Sequence, residues 1–181
     1  TLYKNLLIET GKPNFEDVSR EANLFRKAYP KDQEIGGIGN TGAGVAWADY
    51  DNDGDLDLYW KCAEYDIDNA LFRNNGDGTF TDVTEESGTA ILEMVTEGNS
   101  QGSPNWTDVN QDGLIDLLVT NEGDRKIMLL NQGDGSFENI TPSFRTPSAT
   151  AFLNPGNANG ACVGDIDNDG DMDVFLPTAD Q

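Results

Sequence analysis

The sequence predicts an all-β fold of repeated four-stranded units, and three observations lead to it. An aspartate-rich run recurs as DYDNDGDLD from residue 49, DVNQDGLID from 108 and DIDNDGDMD from 165, with starts 59 and then 57 residues apart. A period of that length belongs to repeat architectures. Each run passes directly into an apolar segment. Behind the first two runs, LFRNNGDGTFTDVT from Leu71 answers MLLNQGDGSFENIT from Met128, each placing a turn of the Asn-Gly-Asp-Gly type between β-prone segments.

The elements follow in chain order. LYKN at 2 to 5 and FEDVS at 15 to 19 are the same hairpin pair with a turn longer by four residues. The glycine-rich stretch GGIGNTGAG, 36 to 44, connects one unit to the next. GVAWAD and SPNWTD each lead into an acidic loop as a first strand, while LDLYW, IDLLV and MDVFL leave the loops as second strands. Alternation places Leu56, Leu58 and Trp60 on one face, and likewise Ile115, Leu117 and Val119, then Met172, Val174 and Leu176. The hairpins supply third and fourth strands. The chain then divides into a half unit at 1–35, whole units at 36–95 and 96–150, and a half unit at 151–181. Four-stranded units of about 60 residues arranged around an axis are the blades of a β-propeller, here with the acidic loop between first and second strands. The half units at 2–19 and 158–176 are complementary. They predict either a piece of a longer chain or halves that pair between subunits, since an unpaired sheet edge is a liability.

Composition excludes several functions. The 181 residues carry 11 basic and 33 acidic side chains, a formal charge of -22 that repels nucleic acid and anionic lipid. With 36% hydrophobic residues and a mean hydropathy of -0.54, no stretch approaches the roughly 18 apolar residues of a membrane span. The tryptophans and recurrent β-type runs argue against disorder. Thr1 opens no charged-then-apolar leader, so any signal peptide is removed or lies outside this sequence.

The acidic runs have the spacing of an oxygen cage. In D-x-[DN]-x-D-G-x-x-D, side chains at positions 1, 3 and 5 converge, glycine at 6 allows the sharp turn, position 7 offers its carbonyl and position 9 closes the shell. The ligands of three calcium sites would be Asp49, Asp51, Asp53, Asp55 and Asp57; Asp108, Asn110, Asp112, Leu114 and Asp116; and Asp165, Asp167, Asp169, Asp171 and Asp173. Position 7 is Asp, Leu and Asp in turn, the tolerance expected where the backbone is the ligand. Magnesium prefers smaller octahedral sites, and zinc or copper would want histidine, of which there is none. A single such loop also reads as a polar turn on a solvated surface. Three at near-constant spacing, each followed by an apolar strand, favour the cage. An EF-hand would need a glutamate at position 12, where Trp60, Val119 and Leu176 stand. Dockerin modules share the loop beginning but are helical pairs, which leaves the hairpins unexplained.

At residues 44 to 60 and 71 to 84 the sequence resembles the FG-GAP and VCBS families of calcium-binding β-propeller repeats, known from integrin α-chain heads, and among them it looks most like the cartilage-acidic-protein-like secreted members. The resemblance implies calcium loops between the first two strands of each blade, and roles in adhesion, matrix or carbohydrate binding. The Phe-Gly and Gly-Ala-Pro cassettes of the integrin subset are not evident in it.

Trp47 and Trp106 each stand two residues before a first loop aspartate, and strand packing is the expected role ahead of sugar stacking. With no histidine and the clustered acids claimed by cages, no enzyme is expected. Cys62 follows a second strand and Cys162 lies in a first strand two repeats later, which makes a disulfide geometrically doubtful. Of two N-x-[ST] sequons, Asn139 near an outer strand is the better glycosylation candidate and Asn105 would lie on an inner strand. Modular extracellular calcium sites fill at about 10⁻⁴ to 10⁻³ M and would stay largely empty in cytosol. The expectation is thus a secreted or cell-surface calcium-binding scaffold or adhesion segment with a protein or glycan ligand. A lectin, a self-assembling subunit and a polysaccharide-acting enzyme are the alternatives.

Overall fold

Extended segments form where aromatic and branched residues alternate with polar ones, and glycines with positive φ end them. The computed structural model describes residues 1–24, 27–28, 33–34, 42–62, 69–90, 102–121, 126–141 and 160–177. Strands β1 (Tyr3–Asn5) and β2 (Phe15–Asp17) pair antiparallel with Tyr3 opposite Asp17. Their longer turn holds an unforeseen helical turn, α1 (Leu7–Thr10), the one helix among the described residues. Gly11 closes it at φ 68 and donates its N–H to the Leu7 carbonyl at 2.8 Å. Glycine just past the helix and proline shortly after it form the usual stop signal, carried here by the extra turn residues. A further short pair, β3 (Lys27–Ala28) and β4 (Gln33–Glu34), was likewise not anticipated.

Two four-stranded antiparallel meanders follow. In the first, β5 (Gly42–Ala48), β6 (Asp57–Cys62), β7 (Ala70–Asn74) and β8 (Phe80–Asp82) lie side by side in chain order. β9 (Pro104–Thr107), β10 (Asp116–Val119), β11 (Ile127–Asn131) and β12 (Phe137–Asn139) repeat that order in the second. The registers agree: Leu58 faces Phe72 as Leu117 faces Leu129. A two-stranded sheet of β13 (Cys162–Gly164) and β14 (Asp173–Phe175) completes an all-β architecture of antiparallel sheets. The connector residues 36–41 lie outside the described residues.

The sheets pack face to face. Tyr50, Tyr59, Leu71 and Val83 of the first meander meet Leu117, Val119, Leu129 and Phe137 of the second in one apolar layer. Leu58, Trp60, Phe72 and Phe80 form another with Ala22 and Leu24, against which Leu2 packs. Every residue of β6 is therefore buried, not only one alternating face. Burying such a side chain stabilises by roughly 1.5–3 kcal/mol, so these layers, more than the hairpin turns, hold the sheets together. The expected apolar triplets need correction at their first members. Leu56, Ile115 and Met172 precede the strands, and Leu56 and Met172 are exposed because the chain is still leaving the acidic loop. In the third unit Val174 and Leu176 are only partly buried.

Candidate metal centres

Each acidic loop is wound around its own first aspartate. The Asp49 carboxylate accepts the N–H groups of Asp53 and Gly54, both at 3.0 Å. Asp108 does the same for Asp112 and Gly113, at 3.1 and 2.9 Å. Asp165 does so for Asp169 and Gly170, at 3.1 and 3.0 Å. Winding the chain this tightly requires left-handed backbone at positions 4 and 6. Asn52, Gln111 and Asn168 have φ of 59, 59 and 61, and Gly54, Gly113 and Gly170 have φ of 94, 87 and 99. Asparagine and glycine tolerate that region, and in the middle loop Gln111 adopts it without that preference.

Position 9 anchors each loop to its sheet. One oxygen of Asp57, Asp116 and Asp173 accepts the N–H of position 2, from Tyr50, Val109 and Ile166, at 3.1, 2.9 and 3.0 Å. The other oxygen of Asp57 and of Asp116 accepts the N–H of Asn74 and of Asn131, both at 2.8 Å. The Asn74 and Asn131 side chains reach back to the carbonyls of Leu56 and Ile115. These two asparagines hold the closing carboxylates in place, and sequence reasoning took them only for turn residues. Their signal was the asparagine that opens each Gly-Asp-Gly hairpin.

Carboxylate oxygens of Asp49, Asp51 and Asp57 lie within 4.8 Å of one another, and so do those of Asp165, Asp167 and Asp173. Positions 1, 3 and 9 are thus brought together. Position 5 instead caps the backbone, with Asp53, Asp112 and Asp169 accepting the N–H of Asp55, Leu114 and Asp171 at 2.9, 2.8 and 3.0 Å. In the middle loop position 3 is Asn110, whose amide donates to Asp112 at 2.8 Å. Side chains at position 7 lean on the neighbouring hairpin, since a Cβ on Gly76 would fall 2.8 Å from Asp55 Oδ2 and one on Gly133 3.2 Å from Leu114 Cδ1. The loops also touch: Gln111 Nε2 donates to the Gly170 carbonyl at 3.0 Å, and Asn131 Nδ2 to that of Tyr50 at 2.8 Å.

Electrostatics reflect the crowding. Burial pushes the Asp57 carboxyl up to about 6, aided by Asp51 and Asp53 and opposed by the N–H groups of Asn74 and Tyr50. Burial also raises Asp116 and Asp51, while the charge on Asp169 raises Asp171. Tyr50 is driven to about 12 by burial and by Asp51 and Asp57, which keeps its phenol neutral. An all-oxygen set of converging carboxylates is chemically suited to a hard divalent cation, which would displace the protons that the crowded carboxyls otherwise retain.

The remaining candidates are distributed as follows. Trp106 packs edge-on against Tyr59 and near Phe137, both at 6.2 Å, whereas Trp47 meets Phe80 at 6.0 Å and stays 43% exposed. Cys62 is buried and Cys162 is exposed. Asn139 is exposed at the end of β12, while the half-buried Asn105 donates to the Ser103 carbonyl at 3.3 Å.

Residues 108–176, which run from the middle loop through the third, match the FG-GAP-like repeat. The chain is similar to FG-GAP-like repeats and to cartilage acidic protein 1. It is 28% identical to cartilage acidic protein 1 of Xenopus tropicalis over 136 residues, covering 75% of this chain and 19% of that protein. To cartilage acidic protein 1 of Mus musculus and of Homo sapiens it is 25% identical over 161 residues, covering 88% of this chain and 21% of each relative. The chain therefore spans about a fifth of the length of the curated relatives it matches. No helix among the described residues is long and apolar enough to cross a membrane.

Proposed function

We propose that the chain is a calcium-binding segment of an extracellular β-propeller scaffold of the adhesion or matrix type, without catalysis. The carrying observation is the pair of three-carboxylate clusters, Asp49/Asp51/Asp57 and Asp165/Asp167/Asp173, built at the same positions of two loops of one conformation. The two meanders are blades, and the sheets β1–β2 and β13–β14 are half blades. The middle loop, Asp108 to Asp116, is a third calcium site. Its cation pins the first strand of a blade to the second, where repulsion among carboxylates otherwise opposes the turn. The repeat and the similarity to cartilage acidic protein 1 support the extracellular setting, as do the millimolar calcium levels that such sites need.

Calcium titration by calorimetry tests this reading. Three sites are expected, the middle one weakest, because Asn110 removes one carboxylate and occupies Asp112 with a hydrogen bond. Asn110→Asp should tighten that site by about tenfold, a difference of about 1.4 kcal/mol. Absence of calcium binding would overturn the function, and a middle site tighter than its neighbours would overturn the ranking.

Protons should compete with the ion. Asp57 titrates near 6 in the calcium-free fold, above its unfolded value of about 3.9. Its protonated form is the one the calcium-free fold prefers. That contribution is fully present below about pH 3.9 and is lost as pH rises through about 6. Calcium demands the carboxylate, so its stabilising effect grows over the same interval. Melting curves from pH 4.5 to 7, in calcium and in chelator, should therefore diverge as pH rises, and Asp57→Asn should reduce the divergence. Parallel curves would contradict the assignment.

A further inference from the structure

Asn131 ties two acidic loops together. It opens the second hairpin, and its backbone N–H donates to Asp116 Oδ1 at 2.8 Å, which holds the closing carboxylate of the middle loop. Its side-chain amide then reaches two carbonyls. Nδ2 donates to that of Ile115 in the middle loop at 3.0 Å and to that of Tyr50 in the first loop, 81 residues away in sequence, at 2.8 Å. Oδ1 accepts the Gly133 N–H at 2.9 Å. These partners fix the orientation of the amide, because a flipped group would set its oxygen against two carbonyls. One rotamer therefore serves both loops.

The two contacts fall where each loop presents its acids. The Tyr50 carbonyl belongs to the peptide that leads into Asp51, and the Tyr50 N–H donates to Asp57 at 3.1 Å. Asp51 and Asp57 are two of the three carboxylates of the first cluster. In the middle loop the Ile115 carbonyl belongs to the peptide that leads into Asp116. Asn131, Tyr50 and Asp116 are at most 2% exposed, so water does not readily replace their bonds, and a Tyr50 carbonyl that loses its partner stays unsatisfied. Packing joins the same segments: the Tyr50 ring lies 5.7 Å from that of Phe137, which pairs with Asn131 across the hairpin. The middle and third loops also meet, through Gln111 and the Gly170 carbonyl, but that bond is exposed and involves no closing carboxylate.

We propose that Asn131 is a positioning residue shared by the first and middle calcium sites, coupling them so that filling either one tightens the other. This coupling rests on the calcium reading given above. Releasing the Asn131 side chain from one loop releases it from the other, and this is the two-state element that both sites bias. A cation held by Asp116 fixes that carboxylate and the residue anchored to it. The amide is then ordered when the first loop must hold Asp51 beside Asp49 and Asp57, so the second binding event loses less conformational entropy. Linkage makes the effect reciprocal, with one factor for both directions. A factor of about five is expected, at the lower end of typical couplings.

Calcium titration of the full chain, followed by the nuclear magnetic resonance signals of the Gly54 and Gly113 amides, tests the coupling. These N–H groups donate to Asp49 and Asp108, so each reports its own loop. The weaker middle site fills while the first is occupied, and Asp49→Ala should therefore raise the Gly113 midpoint by about fivefold. In the other direction, Asn110→Asp tightens the middle site and should lower the Gly54 midpoint by about twofold. Both shifts should disappear in an Asn131→Ser background. A purely structural role would lower both affinities and leave their dependence on each other unchanged. Asn74→Ser is the matched control, since the Asn74 bonds go to its own unit, and it should leave the coupling in place. The Asn131 side-chain amide signal gives a check that needs no change at Asn131: it should move when either site is filled alone, in Asp49→Ala and in Asp108→Ala. Midpoints independent of each other, a coupling that survives Asn131→Ser, or an Asn131 signal that follows only one site would each overturn the proposal and leave the calcium reading standing. Glycine amides indifferent to calcium would overturn both.

Discussion

In excess chelator the protein is expected to melt about 10–20 °C below its melting temperature in saturating calcium. A ligand that binds only the native state adds RT ln(1 + [L]/Kd), about 2.7 kcal/mol per site at a hundredfold excess over Kd. Two three-carboxylate clusters at that occupancy give about 5 kcal/mol, and in a chain of this size each kcal/mol moves the midpoint by about 2–4 °C. The structure explains why the loss should fall on the fold as a whole. Asp57 and Asp116 are fully buried at the first residue of a second strand and each holds both its own loop and the following hairpin. The first loop is tied to the next sheet through the Tyr50 carbonyl and Asn131. Differential scanning calorimetry with metal loss verified is the check. Magnesium at equal concentration should protect less, because it prefers a smaller octahedral site with retained water. Unchanged melting after verified removal would refute a structural role for the ion.

Much of the architecture was legible because the repeat writes it several times. Strand positions, the order of four strands and the hairpins follow from three acidic runs and two Gly-Asp-Gly turns. Position 5 illustrates what spacing alone does not decide. Counting residues placed Asp53, Asp112 and Asp169 among converging ligands, and each also uses one carboxylate oxygen to cap the N–H two residues on. Burial was also misjudged. Alternation in LDLYW put Leu56, Leu58 and Trp60 together on one face and said nothing of the other, yet β6 is buried on both because apolar layers lie against either side of it. The two tryptophans stood at the same repeat position and were expected to pack alike, but Trp106 has Tyr59 of the neighbouring sheet beside it, whereas among the described residues the ring contact of Trp47 is with Phe80 of its own sheet. The hairpin asparagines went unread because their use depends on a strand some fifteen residues earlier, a contact that only the folded register creates.

Gly102→Ala should be among the most damaging single substitutions in the chain, costing about 3 kcal/mol and about 6–12 °C in melting temperature. In the sequence it is one glycine of the stretch GNSQGSP and reads as linker. In the fold it is buried where β9 begins, and a Cβ there would lie 2.1 Å from the Thr120 carbonyl oxygen, 2.7 Å from its carbon and 3.1 Å from the Asn121 Cα. All three are backbone atoms, so no side-chain rotation relieves the clash. The neighbouring strands cannot simply part either. Thr120 donates its N–H to the Ser103 carbonyl at 3.0 Å, and Ser103 donates its N–H to Thr120 Oγ1 at 2.9 Å. Moving Gly102 away breaks this paired exchange next to Leu118 and Val119, both fully buried. Gly164→Ala is the matched control, since its Cβ meets nothing within 4 Å, and it should stay within about 0.5 kcal/mol of the parent. Thermal melts of both variants in calcium decide the matter. Equal, small shifts would show that the β9–β10 junction yields, and that the close approach of Gly102 to Thr120 does not set the packing of the second meander.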